Sequence, residues 1–304
     1  MQTYGVSAMP ATQQRTTEVT VGTFPRTIDR NDCILSLGSC FSTEMSKRLS
    51  ASGYEVCDNP FGVLYNPASI ARALLFLAEG HTFTPDDVIP RDTNPKRKDR
   101  TGNHVKQKTD RPAHRPIAPD GGGYVSFFHH GSFARKSPEE FLEHANRSLL
   151  EASEQFRKSK WILATFGTAW TYRHIAGNII VANCHKHPAW EFRRELMDAD
   201  SISSLWSDIV RRFSDKTFVF TVSPIRHKKD GMHGNQISKA TLLLALEKTI
   251  REAPAANACY FPSYEIILDE LRDYRWYNED LVHPSSEAID IVWQRFQDTL
   301  LSRT

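Results

Sequence analysis

The chain has 304 residues, 40% apolar and 11% aromatic, enough for a substantial core and too apolar for wholesale disorder. Lys and Arg number 38 against 36 Asp and Glu, a net charge of +2, which excludes a surface built throughout for nucleic acid. No run of about 18 uncharged apolar residues occurs, so no membrane-spanning helix is expected.

Residues 1–25 are polar and irregular, show no basic-then-apolar secretory pattern, and read as a flexible tail ahead of one domain over 26–304. Apolar or β-branched runs at 33–37, 54–57, 161–166, 217–223 and 258–262 predict strands. Helical patterns lie between and after them, at about 42–51, 67–79, 137–157, 202–213, 236–252 and 285–302. Asn66-Pro67 supplies an N-cap oxygen and then a proline suited to the first turn. Ser137-Pro138-Glu139-Glu140 repeats the device with a capping-box glutamate. Phe41, Met45 and Leu49 give the first helix one apolar face, and Gly53 marks its end. Strands separated by helices, joined by right-handed crossovers, predict a three-layer α/β/α domain around a parallel sheet of about five strands.

The segment 90–123 breaks this rhythm with five prolines and Gly121-Gly122-Gly123. Within it, residues 91–115 carry nine Lys/Arg and three Asp, a local charge of 9 − 3 = +6. A solvated basic loop is the simplest reading, and an arm for an anionic partner the sharper one. Aromatics are not interleaved with the basic residues, so nucleic acid is not the expected partner.

The five cysteines, at 33, 40, 57, 184 and 259, are odd in number and without C-x-x-C spacing. They predict free thiols and a cytoplasmic protein rather than a disulfide framework or zinc ribbon. Cys33, Cys57 and Cys259 fall in apolar strands and read as packing. Asn183-Cys184-His185-Lys186-His187 and His129-His130 hold metal-ligating atoms but have no second cluster at ligand spacing, so no metal is expected.

Two segments carry candidate chemistry. In Ile34-Leu35-Ser36-Leu37-Gly38-Ser39-Cys40 a strand runs into a glycine and straight into a helix. Ligands of open parallel sheets bind beyond the carboxyl ends of strands, and a helix N-terminus favours a thiolate and offers amide donors. From this segment alone, a small buried cysteine in a tight turn is an equal reading. In Asp280-Leu281-Val282-His283 an acid sits three residues before a histidine, spacing that lets a carboxylate hold one ring nitrogen and leave the other as a base.

Together these segments resemble the GSCFA domain family. The run Gly38-Ser39-Cys40-Phe41-Ser42 has serine where the eponymous motif ends in alanine, and Asn59-Pro60-Phe61-Gly62-Val63-Leu64-Tyr65-Asn66-Pro67 follows it. Further matching runs are 165–170, 183–188, Ser223-Pro224-Ile225-Arg226-His227, and 280–284, so the resemblance covers about 30–300. That family resembles a branch of the SGNH (GDSL-like) hydrolase superfamily. The resemblance implies a flavodoxin-like sheet and acyl-ester chemistry, as an esterase or an O-acyltransferase acting on an acylated carbohydrate or small molecule. It implies no required cofactor, with acyl-CoA as a conceivable donor whose phosphates the basic loop would hold. Cys40 overlays the nucleophilic serine of the superfamily pattern and Ser39 its aspartate, with Ser39 the alternative nucleophile. Asp280 and His283 complete the set. Gly62 is the nearest match to the oxyanion glycine, and its N–H is expected to hold the oxyanion together with that of Cys40. Gly167-Thr168-Ala169-Trp170 occupies the third block without its asparagine, so Asn59, Thr168 or Asn183 is expected to supply the missing donor. Gly167, Asn183, His185 and Lys186 are expected to line the pocket. The incomplete third block also suits a different class of protein, a non-catalytic module that binds a glycan or an acyl carrier.

Overall fold

The structure is a computed structural model and describes residues 16–24, 26–91, 123–254 and 257–302. In chain order the strands are β1 (Cys33–Gly38), β2 (Glu55–Asp58), β3 (Ile89–Pro90), β4 (Tyr124–Val125), β5 (Trp161–Phe166), β6 (Trp170–His174), β7 (Ile179–Val181), β8 (Phe192–Leu196), β9 (Thr217–Val222) and β10 (Ala258–Tyr260). The helices are α1 (Cys40–Ala51), α2 (Pro67–Glu79), α3 (Pro138–Lys158), α4 (Ala199–Arg212), α5 (Gly231–Glu252), the short α6 (Ser263–Glu265) and α7 (Ser286–Leu300).

Five strands form the central sheet in the order β10-β9-β5-β1-β2, and every pairing is parallel. Counting sheet strands alone, the order is 2-1-3-4-5, which is the flavodoxin-like arrangement. The three central strands, Cys-Ile-Leu-Ser-Leu-Gly, Trp-Ile-Leu-Ala-Thr-Phe and Thr-Phe-Val-Phe-Thr-Val, are buried at every position. That is why they read as continuous apolar runs rather than as alternations. Strand alternation splits their side chains between two cores. Leu35, Leu37, Ile162, Ala164, Phe218 and Phe220 face α2, α3, α4 and α5, whereas Ile34, Leu163 and Val219 face α1 and α7. The expected three-layer α/β/α arrangement is the one found.

Helix starts follow their caps. Asn66 Oδ1 accepts from Ser69 N at 2.8 Å, and the Ser137 side chain accepts from Glu140 N at 3.1 Å. Helix α4 begins three residues before the expected position because Asp198 caps it, with Oδ1 accepting from Ser201 N at 2.8 Å. The stretch 16–24, read from sequence as part of a tail, lies against the α7 side: Val19, Val21 and Phe24 pack on that core, and Val19 N donates to Glu270 at 3.0 Å.

Two additions to the sheet were not read from the sequence. Strands β7-β6-β8 form a small antiparallel sheet that leaves the carboxyl end of β5. Strands β3 and β4 pair antiparallel, Ile89 with Val125 and Pro90 with Tyr124, on either side of the basic segment. Residues 92–122, which hold nearly all of that segment, lie outside the described residues.

Candidate active site

The order 2-1-3-4-5 reverses between β1 and β5, and the crevice at their carboxyl ends is where such folds take ligands. Gly38 ends β1 there with φ 152°, and a Cβ at this position would lie 2.4 Å from the Thr165 carbonyl oxygen of β5. Only glycine lets the strand close up on its neighbour and still turn into a helix. Ser39 caps α1, its hydroxyl accepting from Phe41 N at 3.3 Å, and is 1% exposed. Cys40 is therefore the first helical residue, half-buried at the positive end of the α1 dipole.

The turn after β2 braces this corner. Asn59, at φ 44°, accepts from Gly38 N on Oδ1 at 2.8 Å and donates from Nδ2 to Thr43 and Asp58 at 3.0 and 3.1 Å. The chain continues through Leu64, whose amide donates to the Gly38 carbonyl at 2.8 Å, to Tyr65. The Tyr65 hydroxyl lies 3.8 Å from Cys40 Sγ.

The far end of the chain supplies the base. His283 Nδ1 lies 2.6 Å from Asp280 Oδ2, while Asp280 Oδ1 accepts from the amides of Val282 and His283 at 2.8 and 3.0 Å. Burial pushes the Asp280 carboxyl up, and its hydrogen bonds from the His283 backbone and ring and from Val282 outweigh this and hold it below the usual range. The loop is pinned by Arg226 N to the Val282 carbonyl at 3.2 Å and by Lys228 Nζ to the Asp280 carbonyl. Ser285 then caps α7. With Nδ1 held by Asp280, Nε2 is the nitrogen left for Cys40, whose side chain hydrogen-bonds the ring. That bond, opposed by burial and reinforced by Asp280, raises the His283 pKa to about 9. Cys40, His283 and Asp280 thus form a connected series. Burial raises the Cys33 thiol, and lifts those of Cys57, Cys184 and Cys259 to about 12.

Two groups that the sequence did not single out complete the surroundings. His227, following β9, packs edge-on to Tyr65 with centroids 6.2 Å apart and hydrogen-bonds the Gly167 carbonyl. Burial, with the charges of Lys239, His283 and Arg194, lowers its pKa to about 4. Beneath it Lys239, 1% exposed, donates from Nζ to the Gly167 and Ser223 carbonyls, both at 2.6 Å. Burial lowers its pKa to about 7. The small antiparallel sheet flanks this wall: Arg194 lies 3.9 Å over the Trp170 ring and pairs with Asp230, and Lys229 donates to the Tyr172 hydroxyl at 2.7 Å. His227 sits at the end of the Ser223–His227 run and beyond the carboxyl end of a central strand, so the rule that points to Cys40 also reaches it.

Several expected roles do not fit. The Gly62 amide donates to the Asn59 carbonyl at 2.7 Å and so is committed within its own turn. The amides of Gly167 and Thr168 both donate to the Tyr65 carbonyl, at 2.8 and 2.9 Å, and Thr168 Oγ1 bonds Ser238 Oγ at 2.9 Å. The Asn59 side-chain amide is engaged as described, and the Ser39 hydroxyl is a cap rather than an exposed nucleophile. Asn183, His185 and Lys186 shape a turn on the 126–131 segment: Asn183 Oδ1 accepts from His185 N at 2.8 Å, and His185 Nε2 donates to the Ser126 carbonyl at 2.7 Å. His185 and Lys186 hold positive φ, 47° and 65°. Burial lowers the His185 pKa to about 4, which leaves a neutral, structural imidazole.

A flavodoxin-like parallel sheet that presents a hydrogen-bonded cysteine, histidine and aspartate at its switch point defines an α/β protein with a thiol-centred crevice. The chain belongs to the GSCFA family, whose model matches residues 33–296. No curated protein and no solved structure matches it.

Proposed function

We propose that this protein performs acyl-ester chemistry, as a hydrolase or an O-acyltransferase acting on an acylated carbohydrate or small molecule. The observation that carries this reading is the hydrogen bond between Cys40 and His283 with Asp280 behind the ring. An imidazolium beside a thiol at a helix N-terminus favours the thiolate. In the first step the Cys40 sulfur attacks the acyl carbonyl and the C–S bond forms. His283 returns its proton to the departing group as the C–O or C–S bond of the donor breaks. His283, now neutral, then takes a proton from water or an acceptor hydroxyl, which attacks the thioester and frees Cys40. Asp280 orients the ring and stabilises its charged form throughout. A thioester intermediate suits transfer to an alcohol as well as hydrolysis, and acyl-CoA fits as a donor. This chemistry also ranges the chain with the SGNH hydrolases, with sulfur in place of the serine oxygen, and suits a reducing cytoplasmic setting that keeps Cys40 active.

The test is intact mass after exposure to a p-nitrophenyl acyl ester or an acyl-CoA. The expected result is a single acyl adduct, abolished in Cys40→Ala and retained in Ser39→Ala. The internal commitment of the Gly62, Gly167 and Thr168 amides favours a second reading, a binding module for a glycan or acyl carrier. Absence of any adduct or turnover in the wild type supports that reading instead.

A further inference from the structure

We infer that the Tyr65 hydroxyl is the side-chain oxyanion donor of this site, acting beside the Cys40 backbone amide at the start of α1, an inference that rests on Cys40 being the nucleophile. Acyl transfer needs a donor aimed at the oxygen that becomes negative, about 2.7–3.1 Å from where that oxygen will be. The amides of Gly62, Gly167 and Thr168 and the side chain of Asn59 are committed elsewhere. Tyr65 meets the geometric requirement. An oxygen on a carbon bonded to Sγ stands about 2.7 Å from that sulfur by ordinary bond lengths. A hydroxyl about 2.8 Å from this oxygen and 3.8 Å from the sulfur closes a triangle with nearly a right angle at the oxygen. The hydroxyl is therefore too far from the resting sulfur for a strong bond and well placed once charge moves to oxygen. This is selective stabilisation of the transition state.

The fold also holds Tyr65 in register. Its carbonyl takes both amides of the Gly167–Thr168 turn, its ring stands edge-on to His227, and Asn66 next to it caps α2. The tie to Gly167–Thr168 explains how a third block without asparagine contributes. Its amides anchor the residue that carries the donor. Tyr65 donates a hydrogen bond and transfers no proton. The carbonyl electron pair moves onto oxygen as the C–S bond forms and returns as the leaving group departs.

The experiment compares two reactions of Cys40 in the wild type and in Tyr65→Phe. Acylation by p-nitrophenyl acetate, followed by nitrophenolate release and intact mass, passes through an oxyanion. Alkylation by iodoacetamide needs the thiolate but forms no oxyanion. The expected result is acylation slowed by about 10²-fold or more with alkylation unchanged, which also shows that the variant is folded. Acylation at the wild-type rate overturns the assignment. An equal fall in both reactions overturns it as well, since Tyr65 would then act on the thiolate. A wild type that forms no Cys40 adduct overturns nucleophile and donor together, whereas the first two outcomes remove the donor alone.

Discussion

Replacing Gly38 with alanine tests whether the close approach of β1 to β5 is what delivers Cys40. The added methyl would stand 2.4 Å from the Thr165 carbonyl oxygen and 2.7 Å from its Cβ. These atoms belong to the paired strand, with Gly38 opposite Thr165 in register, so neither can swing aside. Overpacking of this kind costs about 1–3 kcal/mol, and the positive φ adds about 1–2 kcal/mol for an L-residue. The sum, about 2–5 kcal/mol, is a large share of a domain's net stability, and corresponds to a fall in Tm of about 4–20 °C. Gly80 supplies the control. It has φ 63° and nothing within 4 Å of an added Cβ, so Gly80→Ala carries the conformational cost alone. Urea unfolding followed by circular dichroism measures both variants, and iodoacetamide reactivity reports on the position of Cys40. The reasoning fails if Gly38→Ala is no less stable than Gly80→Ala and alkylates at the wild-type rate.

The remaining predictions concern charge. The His283 pKa is raised to about 9 by Cys40 first and by Asp280 second, and Asp280→Asn removes the second of these. The alkaline limb of alkyl-ester turnover, where the imidazolium that protonates the leaving group is lost, then moves down toward the ordinary histidine value. A pH–rate profile whose limb stays in place would contradict the role given to Asp280. Lys239 releases its proton in the folded state from about 7, against the ordinary lysine value of 10.5. The unfolded chain therefore binds more protons between these values, and Lys239 makes the fold more stable as pH rises through that window. Lys239→Met removes this contribution, so its urea midpoint minus that of the wild type falls as pH is raised from 7 to 9. The variant also leaves the Gly167 and Ser223 carbonyls without their Nζ donor, at about 1–3 kcal/mol for each buried group left unmatched, and melts lower than the wild type at pH 9.

The sheet was legible because its central strands are buried on both faces and so stand out as apolar runs. The corner at Gly38, Ser39 and Cys40 was legible because a strand, a glycine and a capping serine are neighbours in sequence. Strand β8, Phe-Arg-Arg-Glu-Leu, was not, because two of its charged side chains are exposed and it packs on a minor sheet away from the main core. Its partner hairpin did carry a cue, Gly177-Asn178 between apolar pairs, with Asn178 at φ 48°. The oxyanion roles expected of Gly62 and Thr168 meet a different obstacle. An amide's partner is decided by the turn in which it sits, and no spacing rule reports whether a carbonyl already waits for it. Tyr65 and His227 lay inside quoted runs, yet their meeting depends on β1, β5 and β9 ending level, which is a property of the assembled sheet.

The two imidazoles beside Tyr65 and Cys40 have opposite acid strengths, about 4 for His227 and about 9 for His283. Across the interval between those values one ring stays charged and the other stays neutral, so drifts in ambient acidity leave both imidazoles unaltered while Lys239, near 7, titrates beneath them. The charge on each of the two rings is thereby set by the protein's own architecture and not by the surrounding medium.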